Sequence, residues 1–203
     1  PLRETIASYC LRKMIGSSSA MELSEVNLID PMVGSGTFLI EAAELFRPQM
    51  DRQMNRQFSF LGWRTCPVLL TSPSLAANFI KFPILFKKRI GRDCSEKMIE
   101  IARRNFHRAH LPAEDLRVED VFSEFDLSTE KMEKNWLVSN PPYGARLENQ
   151  FSIISLILAA AKRWKPYKMG FLLERNQLRE LKANQKKLGG YQIVSESPFK
   201  NGG

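Results

Sequence analysis

Asn140-Pro141-Pro142-Tyr143 packs the most chemistry into the fewest residues of this sequence. Two consecutive prolines fix the backbone and remove two amide donors. Carbonyl oxygens there can face a ligand without a competing N–H, and the Asn140 carboxamide oxygen adds another acceptor. A pair of acceptors suits the two hydrogens of an exocyclic NH2 group. Holding both draws the nitrogen toward tetrahedral geometry and frees its lone pair. Tyr143 offers a ring to stack on the plane that carries the amine. The other reading of these four residues is a rigid turn after a strand.

A second stretch, Asp30-Pro31-Met32-Val33-Gly34-Ser35-Gly36-Thr37, lies between a short apolar run at 26–29 and an apolar segment at 38–46 with Glu41 and Glu44 on its polar side. This reads as strand, glycine turn, helix. Glycines permit positive φ and close approach of a ligand to the backbone, and a helix N-terminus adds a positive dipole end. A GxG pair alone is common in turns; the strand-to-helix setting makes this one a candidate cradle for a nucleoside cofactor.

The elements that must position these stretches follow from periodicity. Ile6, Ala7, Cys10, Leu11 and Met14 recur at helical spacing and predict a helix over 1–14, ended by Gly16-Ser17-Ser18-Ser19. A second strand is expected at 88–93. Ser95 can cap the helix that follows, with Met98, Ile99, Ala102 and Phe106 on one face and Pro112 beyond its end. A third strand at 116–118 ends at Glu119-Asp120, and a fourth at 136–138 runs into Asn140. Then come an apolar helix at 151–164, a fifth strand at 169–173, a charged helix at 177–188 ended by Gly189-Gly190, and a sixth strand at 191–194. Strands alternating with helices predict an α/β, Rossmann-like fold: a mostly parallel twisted sheet with helices on both faces.

Ligands in such sheets sit beyond the carboxyl ends of the strands. Asp30, Asp93, Asp120 and Asn140 each fall at such an end. Asp93 is placed to accept from ribose hydroxyls and Asp120 from an adenine amino group; the alternative for each is a cap on the next turn.

With 203 residues, 43% apolar and 26% charged, the chain reads as one globular domain. Cys10, Cys66 and Cys94 have no close pairing, and His107 and His110 have no metal-ligand company, so neither a disulfide framework nor a metal site is expected. That cysteine usage suits a reducing cytoplasm. No signal peptide is visible, and the apolar run at 153–161 is far shorter than the ~20 residues of a membrane span. The net charge is +8, and nine basic residues between Arg47 and Arg92, set against the single acid Asp51, account for all of it. This basic stretch overlaps an expected insertion at about 47–87, which holds Phe58, Phe60, Trp63, Phe79, Phe82 and Phe86 and a partial helix around 74–81. Interleaved aromatic and basic residues suit stacking and phosphate contact; the alternatives are a solvated face and ordinary packing.

Taken together, these motifs resemble the class I S-adenosylmethionine-dependent methyltransferases. More narrowly, they resemble the THUMP-associated RNA methyltransferases, a group that includes the bacterial 23S ribosomal RNA guanine-N2 methyltransferases. The match begins at Pro1-Leu2-Arg3-Glu4-Thr5 and continues through the Asp30–Thr37 cradle, Phe60 and Trp63, Gly91-Arg92-Asp93, Glu119-Asp120-Val121, Asn140-Pro141-Pro142-Tyr143-Gly144 and Phe199-Lys200-Asn201-Gly202. The resemblance implies S-adenosylmethionine contacts at Thr5, Asp30, Met32, Gly34, Ser35, Gly36, Thr37, Asp93, Cys94, Asp120, Val121 and Asn140. It implies catalytic roles for Asn140, Pro141, Pro142 and Tyr143, with no metal.

The chain departs from the family pattern at Val33, where cysteine is frequent, at Arg92, where an aromatic is common, and at Ala145, where glutamate is usual. The expected activity is methylation of an exocyclic amine of RNA, foremost guanine N2 in 23S ribosomal RNA. Adenine N6, a protein glutamine, and a non-catalytic RNA-binding module are the alternatives. An upstream THUMP-type domain and a further strand after Gly203 are expected outside this sequence, which reads as a piece of a longer chain.

Overall fold

The computed structural model describes residues 2–45, 86–123, 134–141 and 152–198. The expected insertion as far as residue 85 with its helix, residues 142–151 and the last residues from Phe199 on lie outside the described residues; Phe86, at the insertion's end, is buried edge-on against Trp136.

Five strands, β1 (Val26–Asp30), β2 (Lys88–Asp93), β3 (Leu116–Val118), β4 (Lys134–Ser139) and β5 (Lys168–Phe171), pair in the order β3-β2-β1-β4-β5. Every pairing is parallel, so all five carboxyl ends share one rim. β1 pairs with β2 through Ile29↔Ile90 and with β4 through Ile29↔Leu137. Chain order therefore reverses between β1 and β4, the switch point beside which ligands of such sheets bind.

Strand residues alternate between two apolar layers, as a period of two requires. Val26, Leu28, Trp136 and Val138 join Leu11, Phe38, Leu39, Ile99 and Phe106 in one buried cluster. Ile29 and Leu137 join Leu156, Ala160 and Trp164 in the other. The first layer is built by helices α1 (Glu4–Ile15), α3 (Thr37–Glu44) and α4 (Glu96–Arg108), the second by α5 (Ile153–Trp164). The expectation of helices on both faces of a parallel sheet is met.

Local signals explain most boundaries. The Ser95 hydroxyl accepts from the Met98 N–H and opens α4; Ser152 does the same for α5 through Ser155. α1 stops at Gly16, whose φ of 57 lies in the left-handed region. Ser19 begins a short helix, α2 (Ala20–Ser24), with a reciprocal Ser19–Glu22 capping box, where the sequence reading had only a break.

Two expectations are corrected. The charged helix starts at Arg175 as α6 (Arg175–Ala183), and Asn184 turns it into a 3-10 turn over Gln185–Leu188. Residues 191–194 form no strand. Tyr191 and Ile193 pack on the cluster of Ile153, Ile157 and Leu181, and the Tyr191 hydroxyl donates to the Pro166 carbonyl at 2.7 Å. Alternating apolar residues are satisfied there by packing on helices, not by pairing.

Candidate active site

The turn between β1 and α3 is held on all sides by backbone and side-chain bonds. Val33 N–H donates to the Arg92 carbonyl at 2.7 Å, and Gly36 N–H to the Val33 carbonyl at 2.8 Å. Asn105, on α4, donates from its amide to the Ser35 carbonyl at 2.8 Å. Ser35 and Thr37 hydroxyls lie 3.0 Å apart. Gly36 caps α3 at φ 85, and a Cβ there would meet the Phe106 ring at 2.9 Å. Only glycine satisfies both the positive φ and the close contact. Val33 is buried in the core, so the departure from cysteine leaves a backbone-made cradle unaltered.

Asp93, at the end of β2, receives the Gly34 N–H on Oδ2 and the Ser95 N–H on Oδ1, each at 3.0 Å. The acid expected to meet ribose thus also pins the cradle to β2. Asp30 is wholly buried. Its Oδ1 accepts from the Met32 N–H at 3.1 Å and from the Ser139 hydroxyl at 2.8 Å. Burial pushes its carboxyl up to about 7, against the two hydrogen bonds and with a smaller contribution from the Asp93 charge. The Cys94 thiol is exposed and raised by desolvation and by the charges of Asp93 and Asp120; it stays protonated at neutral pH and is no nucleophile. Asp120 Oδ1 accepts from the Phe122 N–H at 2.9 Å, the turn-capping role. Val121 buries its side chain in the core and has only its backbone to offer a ligand.

Across the switch point, Asn140 follows β4 directly. Its Oδ1 is buried and has no hydrogen-bond partner among the described residues. A buried acceptor without a donor is costly, and one at a strand end on the switch-point rim has the character of a ligand-binding group. Pro141 is buried beside it; Pro142 and Tyr143 lie outside the described residues. Thr5 is exposed in the first turn of α1. The Lys168 ammonium, at the start of β5, donates to the Met14 carbonyl in the last turn of α1. The C-terminal end of α1 therefore lies at the amino end of the sheet, and a twelve-residue helix of about 18 Å carries Thr5 toward the rim.

The structure brings Asp30, the cradle, Asp93, Cys94, Asp120 and Asn140 to the carboxyl rim. It sets part of the basic stretch elsewhere. Lys87 and Lys88 stand at the amino end of β2, where the Lys87 N–H donates to the Val26 carbonyl. Arg89 is half-buried with its Nε enclosed, and Arg92 is engaged with Glu119. These four do not form a phosphate grip at the rim.

Ser139, Asn105 and Arg163 are not singled out by the sequence, and Glu119, matched there only as part of Glu119-Asp120-Val121, pairs with Arg92 and Arg163. Ser139 sits one place before Asn140 on a strand otherwise apolar at its end, and Asn105 is a polar residue beside Phe106 on an inward helix face; both patterns are visible in the sequence once the fold is assumed.

Comparison with known proteins decides the family. Residues 1–173 match the family described as RMKL-like, methyltransferase domain. The chain belongs to this family. The methyltransferase domain is 31% identical over 160 residues to a ribosomal RNA large subunit methyltransferase K/L of Psychromonas ingrahamii, covering 77% of this chain and 20% of that protein. It is 32% identical over 162 residues to its counterpart in Shewanella loihica, covering 77% and 21%. The chain thus spans about a fifth of the length of these curated relatives. A solved protein of Listeria monocytogenes described as a predicted N6-adenine-specific DNA methylase shares the fold with a TM-score of 0.58 at 25% identity, over 89% of this chain and 46% of its own.

The family is one of methyltransferases, for which S-adenosylmethionine is the expected methyl donor. The residues present fit such a group. At Gly34, φ 51, a Cβ would meet nothing nearer than the Met32 carbonyl at 4.0 Å, so the cradle backbone there is open to a ligand; Asp93 and Asp120 stand at neighbouring strand ends, and the Asn140 oxygen, unpartnered among the described residues, lies on the next strand end across the switch point. No described helix is long and apolar enough to cross a membrane, and no group of His, Cys, Asp and Glu among the described residues has the makings of a metal site.

Proposed function

We propose that this domain methylates an exocyclic amine of RNA, and that its target is N2 of a guanine in 23S ribosomal RNA. The observation that carries the reading is the buried Oδ1 of Asn140 at the β1/β4 switch point, which has no partner among the described residues. It has the chemistry of an acceptor waiting for an N–H. The ribosomal RNA methyltransferases to which the chain is similar support the nucleic-acid target.

In this reading Asp93 accepts from the ribose hydroxyls of the donor, and Asp120 from its adenine amine. The Gly34–Thr37 backbone lines the amino-acid end, with Thr5 near it. S-adenosylmethionine supplies a methyl group on a sulfonium, whose thioether leaves as a neutral group. Asn140 Oδ1 accepts one amine hydrogen and the Pro141 carbonyl the other, which withdraws the nitrogen lone pair from ring conjugation. Pro142 stiffens the segment and Tyr143 stacks on the base, which must be turned out of its helix to enter. Positioning and charge complementarity supply most of the acceleration.

The basic, aromatic insertion at 47–87 and an upstream THUMP-type domain would hold the RNA, in a cytoplasmic setting. Asn140→Ala tests the core of the proposal: transfer of tritiated methyl groups to ribosomal RNA should be lost while calorimetry shows donor binding little changed. Undiminished transfer overturns the assignment.

A second reading, methylation of adenine N6 in DNA, is favoured by the likeness to the Listeria protein, and an Asn-Pro-Pro-Tyr segment serves either amine. Counting methyl groups in separated ribosomal RNA, DNA and protein fractions distinguishes the two.

A further inference from the structure

Beneath the rim, on the α5 face of the sheet, two arginines share one carboxylate. Glu119 Oε2 takes the Arg92 Nε at 2.5 Å, and Glu119 Oε1 pairs with the Arg163 guanidinium. Arg92 also donates to the carbonyls of Gly91 at 2.9 Å and Asp115 at 2.7 Å. From α5, Arg163 reaches the Ser123 hydroxyl at 3.0 Å, the Ser123 carbonyl at 3.3 Å and the Asp120 carbonyl at 3.4 Å. Arg163 is 7% exposed.

Arginine is rarely buried this far unless paired. Its charge is desolvated and stands near the like charge of Arg92, and both effects lower its pKa. Such a group persists where its hydrogen bonds offset that cost. Here they join the end of β2, the Glu119–Ser123 segment and the last turn of α5. The planar guanidinium does this with several fixed donors, which a lysine ammonium cannot reproduce.

We propose that Arg163, anchored by Glu119, is a positioning residue that fixes the Asp120 turn and so sets selectivity for the base of the methyl donor. The proposal rests on the reading of Asp120 as acceptor of the adenine amine. Arg163 holds both carbonyls that flank the turn, those of Asp120 and Ser123. Inside it, Asp120 Oδ1 is oriented by the Phe122 N–H. A carboxylate held this way welcomes a 6-amino group and rejects a 6-oxo group, because two acceptors then face each other. Selectivity of this kind depends on the turn being held, while general affinity comes from the cradle and Asp93.

The test compares binding of S-adenosylhomocysteine with S-inosylhomocysteine by calorimetry, in the full-length protein and in Arg163→Lys, Arg163→Met and Asp120→Asn, with thermal unfolding recorded for each. The wild type should prefer the adenosyl ligand. Arg163→Lys keeps a charge for Glu119 but loses the fork, and its preference should fall about tenfold, which is 1.4 kcal/mol, while the protein remains folded. Arg163→Met should lose the preference further and unfold at lower temperature. Asp120→Asn should shift the preference toward the inosyl ligand, since an amide can donate to a 6-oxo group.

If Arg163→Lys folds and weakens both ligands equally, Arg163 is only packing and the proposal is overturned. If Asp120→Asn leaves the preference intact, the reading of Asp120 fails, and the proposal with it. A preference lost in Asp120→Asn but kept in Arg163→Lys overturns the role of Arg163 alone.

Discussion

The Ser139 hydroxyl donates to Asp30 Oδ1 at 2.8 Å, joining the end of β4 to the end of β1 across the switch point. The same oxygen takes the Met32 N–H, so one buried atom holds the first turn of the cradle and the residue before Asn140 in a fixed relation. Ser139→Ala removes the only side-chain donor described for that oxygen. Unfolding in urea should show a loss of about 1–3 kcal/mol, the cost of leaving a buried acceptor short of a partner. Methyl transfer should fall more than donor binding does. A change within about 0.5 kcal/mol, typical of an inert surface site, would remove Ser139 from this role.

Asp30 predicts a pH dependence of stability. In the fold its carboxyl is raised to about 7, from 3.8, chiefly by burial. Folding therefore takes up a proton between about pH 4 and 7. The contribution is fully present below the unfolded pKa, is lost as pH rises through the folded one, and is flat above it. Asp30→Asn keeps an acceptor for Ser139 and Met32 but cannot ionise. Urea midpoints from pH 4 to 8 should decline less in this variant than in the wild type; parallel profiles would show that the carboxyl titrates normally.

Gly36→Ala should damage both fold and site. The left-handed backbone costs a side chain about 1–2 kcal/mol, and forcing Cβ onto Phe106 adds roughly 1–3 kcal/mol. Pairing it with Phe106→Leu should recover the second part only. Should the double variant match the single one, the clash at 2.9 Å carries no energy.

Asp93→Ala should weaken donor binding by roughly ten- to a hundredfold, the range for losing a charged hydrogen bond of about 1.5–3 kcal/mol. It also frees the Gly34 N–H, so the cradle should exchange its amide protons faster. Unaltered affinity in calorimetry, with faster exchange at Gly34, would leave Asp93 as a clamp on the turn and nothing more.

The architecture was legible because its signals are local and redundant. Ser95 and Ser152 announce their helices, the run at 26–29 shows no alternation because both faces of β1 are covered, and parallel order follows from strand–helix alternation. The site was legible where a residue type stands at a strand end, as at Asp30, Asp93 and Asn140. What escaped depends on contacts between distant segments. Nothing near Arg163 in sequence reveals that it meets Glu119, forty-four positions earlier, or that Asn105 serves the Ser35 carbonyl. Tyr191 and Ile193 alternate as a strand would, yet helix faces receive them; periodicity describes a burial pattern and leaves open which neighbour does the burying. Lys87 and Lys88 belong to a basic stretch that suits phosphate contact, yet β2 sets them at the amino end of the sheet, away from the carboxyl rim.

The raised carboxyl of Asp30 has a calorimetric consequence. Burial holds it up at about 7, and in the proposed donor site it would face a sulfonium and an ammonium. Their arrival favours the anion, so a hydrogen ion should leave for the surrounding buffer. The apparent heat of association will then vary between phosphate and Tris, more for the sulfonium donor than for its uncharged thioether product.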